Sequence, residues 1–435
     1  MLSSAQYFRR APLGFFAFLR LTVFRLSSTI LGIETSCDDT GAAVVNDQKL
    51  ILGESLESQT ATSVKNGGVI PPLAQKLHAM NIESTVKSTM RKAGISWQDL
   101  DAIAVTVKPG MALSLKVGVM YAKQLAVTHK LPIIPIHHME AHALTAMLTD
   151  ESLNFPYLVL LVSGGHSLLA VAKDVDDFLL LGTSLDISPG DCLDKIARRL
   201  RLSAIGNGIY SQIPGGMAVE LMARTSKNPT AYPMPTPRSV NRDCDFSFSG
   251  IRSAADRLIN RLEKENGGVI SMEDIASICS SCQTAVTRLF CRRLQRAIEY
   301  CILERHLPPS VKIPASSWPT PRVPSNPDPA AAALVLSGGV ASNTFMRTEL
   351  AKVATHYGMR LVAPPPRLCT DNGVMIAWNG VLLHSRGKRL ECDPSMIDFT
   401  PRAPLGKDIR SLVSEACIRI KPLPVARARP PNKNP

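Results

Sequence analysis

The chain has 435 residues, 45% of them hydrophobic and 20% charged, enough apolar material for one large or two medium globular domains and too much for a chain disordered throughout. No stretch reaches the roughly 18 apolar residues that span a bilayer, because the best candidate, APLGFFAFL at 11–19, stops at Arg20. Ten cysteines spread from Cys37 to Cys417 without dense spacing indicate reduced thiols and argue against a secreted disulfide scaffold.

The net charge is +13, and nine of these charges are terminal. Arg9, Arg10, Arg20 and Arg25 stand in an acid-free stretch over 1–33, and Arg419, Lys421, Arg427, Arg429 and Lys433 in another over 418–435. The remaining +4 permits a nucleic-acid partner without requiring one. Residues 1–30, Arg-bearing, Ser-containing and acid-free, have the composition of a mitochondrial presequence. The basic, Pro-rich tail over 406–435 is expected to be disordered.

From Ile30 the pattern is that of an α/β protein. ILGIE (30–34), GAAVVN (41–46) and KLILG (49–53) predict three strands joined by tight turns. A helix opens at Pro71-Pro72 with Leu73, Leu77 and Met80 on one face and stops before Gly94. Strand 101–107, a Lys-Pro-Gly loop, a helix over about 112–129 and strand 132–136 follow. The order then repeats: strands 157–163, 166–172 and 178–182, a helical region, strand 332–337, a helix from about 341, strand 359–364 and a helix after Asp371. Two such units predict a duplicated βββαβα architecture with its site in the cleft between lobes. The lobes are expected over 31–150 and 151–405, the second with helical insertions between 190 and 306, and the last helix is free to pack back on the first lobe. The segment 308–329 carries eight prolines and reads as an exposed insertion.

Three constellations carry chemistry. Leu161-Val162-Ser163-Gly164-Gly165 and Leu336-Ser337-Gly338-Gly339 are strands ending in the same turn, where backbone N–H groups can approach an anion. Taken as facing each other across the duplicated fold, they suggest a phosphate cradle, to which Gly215-Gly216 could add; the plainer reading is a pair of turns. Glu34-Thr-Ser-Cys-Asp38-Asp39-Thr packs hydroxyls and carboxylates into one turn, suited to phosphate, metal or substrate hydroxyls, or simply to an Asx turn. In His137-His138-Met-Glu140-Ala-His142, helical positions 138 and 142 lie about 40° apart and present two imidazoles to one side, a divalent-metal arrangement. A zinc-peptidase helix would place its base directly after the first histidine, whereas Glu140 is two places on and turned away. Asp371, at the start of the last helix, is the candidate third ligand. Cys279-Ser-Ser-Cys282 is a lone pair that reads as core packing.

With GIETSCDDT, PIHHMEAH, LVSGGHS, DFSFSGIR, SGGVASN and CTDNG in this order, the chain resembles the tRNA threonylcarbamoyladenosine transferase family, long described as O-sialoglycoprotein endopeptidases, over about 31–405, and most of all its mitochondrial branch. The resemblance implies an α/β two-lobed actin-like fold, of the sugar-kinase and chaperone-ATPase type. It further implies transfer of L-threonylcarbamoyl from threonylcarbamoyl-AMP to N6 of adenosine 37 in mitochondrial tRNAs reading codons that begin with A. The family's metal ligands fall on His138, His142 and Asp371, and its adenylate and substrate contacts on Leu161, Val162, Ser163, Gly164, Gly165, Asp194, Gly216 and Asn343. One divalent ion per subunit is implied, of which zinc, iron and manganese all suit two imidazoles and a carboxylate. Asp38 and Asp39 are the candidate catalytic bases. Implied partners are the tRNA anticodon stem-loop, a separate synthase supplying threonylcarbamoyl-AMP and a second copy of the chain, with no membrane, in the mitochondrial matrix. The sequence departs from the family pattern at Lys108-Pro-Gly110, at GDCLDK (190–195) and at Arg252. Two other classes compete: an actin-like nucleotide-dependent binding protein and a metallopeptidase.

Overall fold

The computed structural model describes residues 27–205, 208–314, 323 and 327–425. The first lobe is built on β1 (Thr29–Glu34), β2 (Asp39–Asn46), β3 (Ile51–Ser58), α1 (Thr60–Lys65), α2 (Pro71–Ala93), β4 (Ala102–Lys108), α3 (Ala112–His129), β5 (Ile133–His137), α4 (His138–Leu144) and α5 (Ala146–Thr149). The second holds β6 (Tyr157–Val162), β7 (Ser167–Ala172), β8 (Phe178–Thr183), α6 (Pro189–Arg199), α7 (Gly215–Ala223), α8 (Ser249–Glu265), α9 (Met272–Leu303), β9 (Ala333–Ser337), α10 (Thr344–His356), β10 (Arg360–Val362), α11 (Pro366–Cys369), α12 (Gly373–His384), β11 (Lys407–Asp408) and α13 (Arg410–Glu415).

The two sheets repeat one another. The first runs β3-β2-β1-β4-β5 and the second β10-β9-β6-β7-β8-β11, so β1 and β6 each pair antiparallel with the next strand and parallel with the one after a helix. Duplicated sheets of this order, with helices on both faces, make the α/β two-lobed actin-like fold.

Alternation fixes the layers. Along β6, Leu158, Leu160 and Val162 enter the core shared with α6, α7, α9 and α10, whereas Tyr157, Val159 and Leu161 face the core between the sheets. That middle layer is made by α4 and α12, whose Met139, Met375 and Trp378 are buried in one core with residues from strands of both sheets. The outer face of the first sheet packs on α2 and α3 through Leu31, Ile33, Val86 and Val119.

Helix α12 follows the second lobe in sequence and packs on the first sheet. Glycines make this approach possible: a Cβ on Gly32 of β1 would stand 2.2 Å from the Ala377 nitrogen, and one on Gly373 would stand 2.3 Å from the Ala42 carbonyl carbon. The Trp378 indole donates to the Leu144 carbonyl at 3.1 Å, tying α12 to the end of α4.

Several expectations change. Helix α2 buries Ala74, His78, Ile82, Val86 and Met90, while Met80 is 64% exposed. The buried face is turned by one residue because His78 is held from both sides, by Thr40 Oγ1 at 2.7 Å and the Cys37 carbonyl at 2.9 Å. The helix expected from Ala341 is a single 3-10 turn there, and α10 starts at Thr344 because the Asn343 side chain caps it. The tail is folded as far as residue 425. β11 extends the second sheet beside β8, Ile409 and Val413 are buried, and Gln295 of α9 donates to the Lys421 carbonyl at 2.9 Å. Its apolar residues find a partner in α9, a contact that composition does not encode. β1 begins at Thr29, with Ile30 fully buried, so the lobe starts before 31. Residues 1–26 of the presequence reading, 315–322 and 324–326 of the Pro-rich insertion, and 426–435 of the tail lie outside the described residues. The cysteines of the lone pair, Cys279 and Cys282, are free and buried in α9. Among the described residues no helix is long and apolar enough to cross a membrane.

Candidate metal centre and substrate cleft

Strand β5 runs directly into α4, so His137 ends the strand and His138 opens the helix. His137 turns away: its Nδ1 accepts from the Met139 N–H at 3.2 Å and its Nε2 faces the Pro404 carbonyl at 3.2 Å. Burial pushes its imidazole down to about 3, so it stays neutral. His138 and His142 stack on one side of α4, rings perpendicular with centroids 4.6 Å apart. Asp371, just before the Asn372 cap of α12, meets both: its Oδ1 lies 3.0 Å from His142 Nε2 and 3.5 Å from His138 Nε2.

The donor atoms of His138, His142 and Asp371 all lie within 4.8 Å of one another. Ligand atoms about 2.0–2.2 Å from a tetrahedral ion sit roughly 3.3–3.6 Å apart, close to the spacings found here. Behind His138 stands Glu34, fully buried at the end of β1, whose Oε2 is 3.2 Å from His138 Nδ1 and accepts from Thr106 Oγ1 at 2.5 Å. This is the carboxylate–histidine pairing that orients metal-binding imidazoles. Although burial opposes it, the Asp371 and Glu34 carboxylates hold the His138 imidazole up to about 9. Against the same burial, His138 and His142 hold Asp371 well below the usual carboxylate range, and His138 holds Glu34 low. The cluster is a compact, charged set of two imidazoles and a carboxylate in a largely buried setting, and its donors fit a divalent ion.

The sequence grouping of Glu34 in its turn left its partner unknown, and nothing in the sequence signals the contact with His138, 104 residues away. His166, unassigned from sequence, lies close enough to Asp371 for their charges to interact, and burial pushes its imidazole down to about 4. Glu140 is paired with Arg389 at 2.6 Å and so is not the base of a peptidase-type site at the two imidazoles.

The two Gly-Gly turns do not face each other across the lobes. β6 and β9 are adjacent parallel strands of one sheet, and both turns leave its carboxyl edge side by side. A Cβ at Gly338 would stand 2.5 Å from the Val162 carbonyl oxygen, and the residue holds φ +95°, so this glycine is needed to pack one turn on the other. By topology the counterpart of the Ser163–Gly165 turn after β6 is the Thr35–Asp38 turn after β1. Leu161 and Val162 are buried in the sheet, which leaves Ser163, Gly164 and Gly165 as the accessible part. Ser163 Oγ accepts from the His166 N–H at 2.9 Å and from the Gly165 N–H at 3.3 Å, setting the turn. No atom lies within 4 Å of a Cβ built at Gly164 or Gly165.

Asp194 on α6 and Gly216 on α7 are brought together: the Asp194 carboxylate accepts from the Gly216 N–H at 2.8 Å. Asn343 is buried, its oxygen accepting from the Met346 N–H and its amide donating to Gln283 at 2.9 Å. Both side chains thus hold the walls of the second lobe in place. Asp38 accepts from Ser63 Oγ at 2.9 Å. Burial, with the neighbouring charge of Asp371, lifts the Asp39 carboxyl up to about 7, and one of its oxygens is buried without a hydrogen-bond partner among the described residues.

The family model for tRNA N6-adenosine threonylcarbamoyltransferase matches residues 50–378. The chain is 46% identical over 400 residues to the mitochondrial tRNA N6-adenosine threonylcarbamoyltransferase of Mus musculus, covering 91% of each chain. With that of Homo sapiens it shares 43% over 425 residues, covering 96% of this chain and 97% of the relative. A bacterial tRNA N6-adenosine threonylcarbamoyltransferase from Cereibacter sphaeroides is 38% identical over 388 residues, covering 88% of this chain and 96% of that one. Among solved structures, T. kodakarensis HypF is similar with a TM-score of 0.46 at 15% identity, over 85% of this chain and 49% of that one. The sequence matches decide the matter: the chain belongs to the tRNA N6-adenosine threonylcarbamoyltransferase family, in the mitochondrial group of its relatives.

Proposed function

We propose that the chain transfers the L-threonylcarbamoyl group from threonylcarbamoyl-AMP to N6 of adenosine 37 in mitochondrial tRNAs that read codons beginning with A. The observation that carries this reading is the convergence of His138, His142 and Asp371, in a protein whose relatives are named for the reaction. The adenine N6 lone pair is delocalised into the ring and attacks weakly, so the donor must arrive activated and be held against it. Positioning of this kind supplies roughly 7–11 kcal/mol.

His138, His142 and Asp371 would hold one divalent ion, with Glu34 fixing the His138 ring; when bound, the ion supplies Lewis-acid polarisation of the threonylcarbamoyl group. The open Ser163-Gly164-Gly165 turn takes the phosphate of the AMP leaving group at the Gly164 N–H, since the Ser163 N–H already donates to the His166 carbonyl and the Gly165 N–H to Ser163 Oγ. Asp39, with a carboxyl poised near neutrality, accepts the proton that N6 loses, and Asp38 orders the same turn through Ser63. Asp194, Gly216 and Asn343 shape the adenylate side of the cleft. The donor comes from a separate synthase, and the working form is a homodimer in the matrix.

The test is purified protein with threonylcarbamoyl-AMP and a tRNA that reads codons beginning with A, followed by nucleoside mass spectrometry. Modified adenosine should form at position 37, and His142→Ala should reduce the yield at least about 1,000-fold, the scale of removing a group essential to transition-state stabilisation. Folded, ion-loaded protein that leaves the tRNA unmodified would remove the reading. ATP binding with slow hydrolysis that tolerates loss of both histidines would favour the nucleotide-dependent binding protein instead.

A further inference from the structure

An open groove of about 640 Å³ lies on the second lobe, lined by Lys195, Arg198, Arg199 and Arg201 at the end of α6 and by Arg252, Asp256 and Asn260 of α8. Five cations face one carboxylate. Two of them are already committed: Arg199 pairs with Glu263 at 2.5 Å and Lys195 with Asp191 at 2.6 Å. Arg252 stands 3.5 Å from Asp256, a long contact between half-exposed groups. Arg198 and Arg201 are exposed and make no salt bridge among the described residues.

Favourable interaction with the carboxyl end of α6 accounts for a cation or two in its last turn, at about 0.3–1 kcal/mol each. It does not account for Arg252, which comes from another helix, nor for Arg201, which lies past the helix end with φ +52° and donates its N–H to the Arg198 carbonyl at 3.0 Å. That turn brings Arg198 and Arg201 to the same end of the groove, where like charges gathered on one surface favour an anionic ligand.

The groove is also placed with respect to the cleft. Gly190, in the first turn of α6, packs against Gly164, since a Cβ there would stand 2.7 Å from the Gly164 Cα. Helix α6 therefore runs from the candidate phosphate turn to the groove. Eight residues separate Gly190 from Arg198, about 12 Å of helix, the length of three or four stacked nucleotides at roughly 3.4 Å each. On the opposite side, a Cβ at Gly67 of the first lobe would lie 3.8 Å from the Arg198 guanidinium carbon. The groove thus begins where the two lobes meet.

We propose that this groove receives the phosphodiester backbone of the tRNA strand flanking the modified adenosine, with Arg198, Arg201 and Arg252 as its phosphate contacts; the proposal rests on the tRNA reading above. Guanidinium forks match phosphate oxygens in pairs, and such contacts set the register of a strand without reading its sequence.

The experiment measures binding of an unmodified transcript of a tRNA reading A-starting codons to the full-length enzyme across a salt series, for wild type, Arg198→Ala/Arg201→Ala and Arg198→Lys/Arg201→Lys. Every single-strand phosphate that is no longer neutralised should lower the slope of log affinity against log salt by about 0.7, so the alanine pair should fall short of wild type by about 1.4. Its affinity should drop about tenfold or more, raising KM for tRNA with kcat unchanged, and the lysine pair should keep most of the slope. An alanine pair with the wild-type slope and affinity, in an enzyme that modifies tRNA, overturns the groove and leaves the tRNA reading standing. A wild type that modifies no tRNA overturns both.

Discussion

The turn after β1 and the turn after β6 occupy the same place in two copies of one topology, yet they are built from opposite materials. The first is buried and carboxylate-rich: Glu34 accepts from the Ser36 N–H at 2.5 Å, Gly110 packs against Ser36, and His138 leans on both Glu34 and Ser36. The second is open and glycine-rich, with space above Gly164 and Gly165. A duplicated fold places two turns at one cleft, and side-chain choice then divides the work. One turn positions the His138 imidazole that faces Asp371, and the other leaves Gly164 and Gly165 open.

This division gives each turn its own failure. Replacing Glu34 by Gln keeps its shape and removes the charge behind His138. Divalent-ion affinity, measured by calorimetric titration, should fall about 10–100-fold, the usual cost of losing an outer-shell carboxylate; an unchanged affinity would mean that Glu34 does not support the imidazole. Gly164→Ala should leave stability nearly untouched, because its methyl meets nothing in the protein. It should raise KM for threonylcarbamoyl-AMP several-fold to about tenfold by crowding the phosphate, a loss of roughly 1 kcal/mol or a little more. A variant with wild-type KM would show that the second turn holds no part of the donor.

The smallest effect concerns Asp39 in ion-free protein. Its folded-state carboxyl titrates at about 7, against 3.8 for the ordinary group, because burial and nearby Asp371 disfavour its charge. Between those values the native state keeps a proton that the unfolded chain has released. Its contribution to stability is therefore full below the lower value and is lost as pH rises toward the upper one, by at most about 1.4 kcal/mol per pH unit. Urea unfolding at pH 4.5 and 7 should show Asp39→Asn losing less stability over this interval than wild type. Parallel losses would place Asp39 in solvent.

The lobes, the succession of strands and helices along each and the His138–His142 pair are legible in sequence because they rest on local periods: two residues for strands such as 157–162, four for one helix face. What lies beyond local period is contact between distant segments. The pairing of β6 with β9 joins residues about 176 positions apart and cancels the idea that their turns oppose each other. The one-residue turn of α2 depends on His78 meeting Thr40 and Cys37. Glu34 beside His138 and the folded tail on α9 are invisible for the same reason. Asp371 could be nominated from its place before a helix, but only the close approach of Gly32 and Gly373 carries it to the imidazoles.

The central claim is that transfer depends on an ion held by His138, His142 and Asp371. It is tested most directly by measuring modified adenosine formed per chain as a divalent ion is restored to protein stripped by a chelator. Product should rise in proportion to bound ion up to one per chain, with no such rise in Asp371→Ala. Full yield from ion-free wild-type protein would contradict the account.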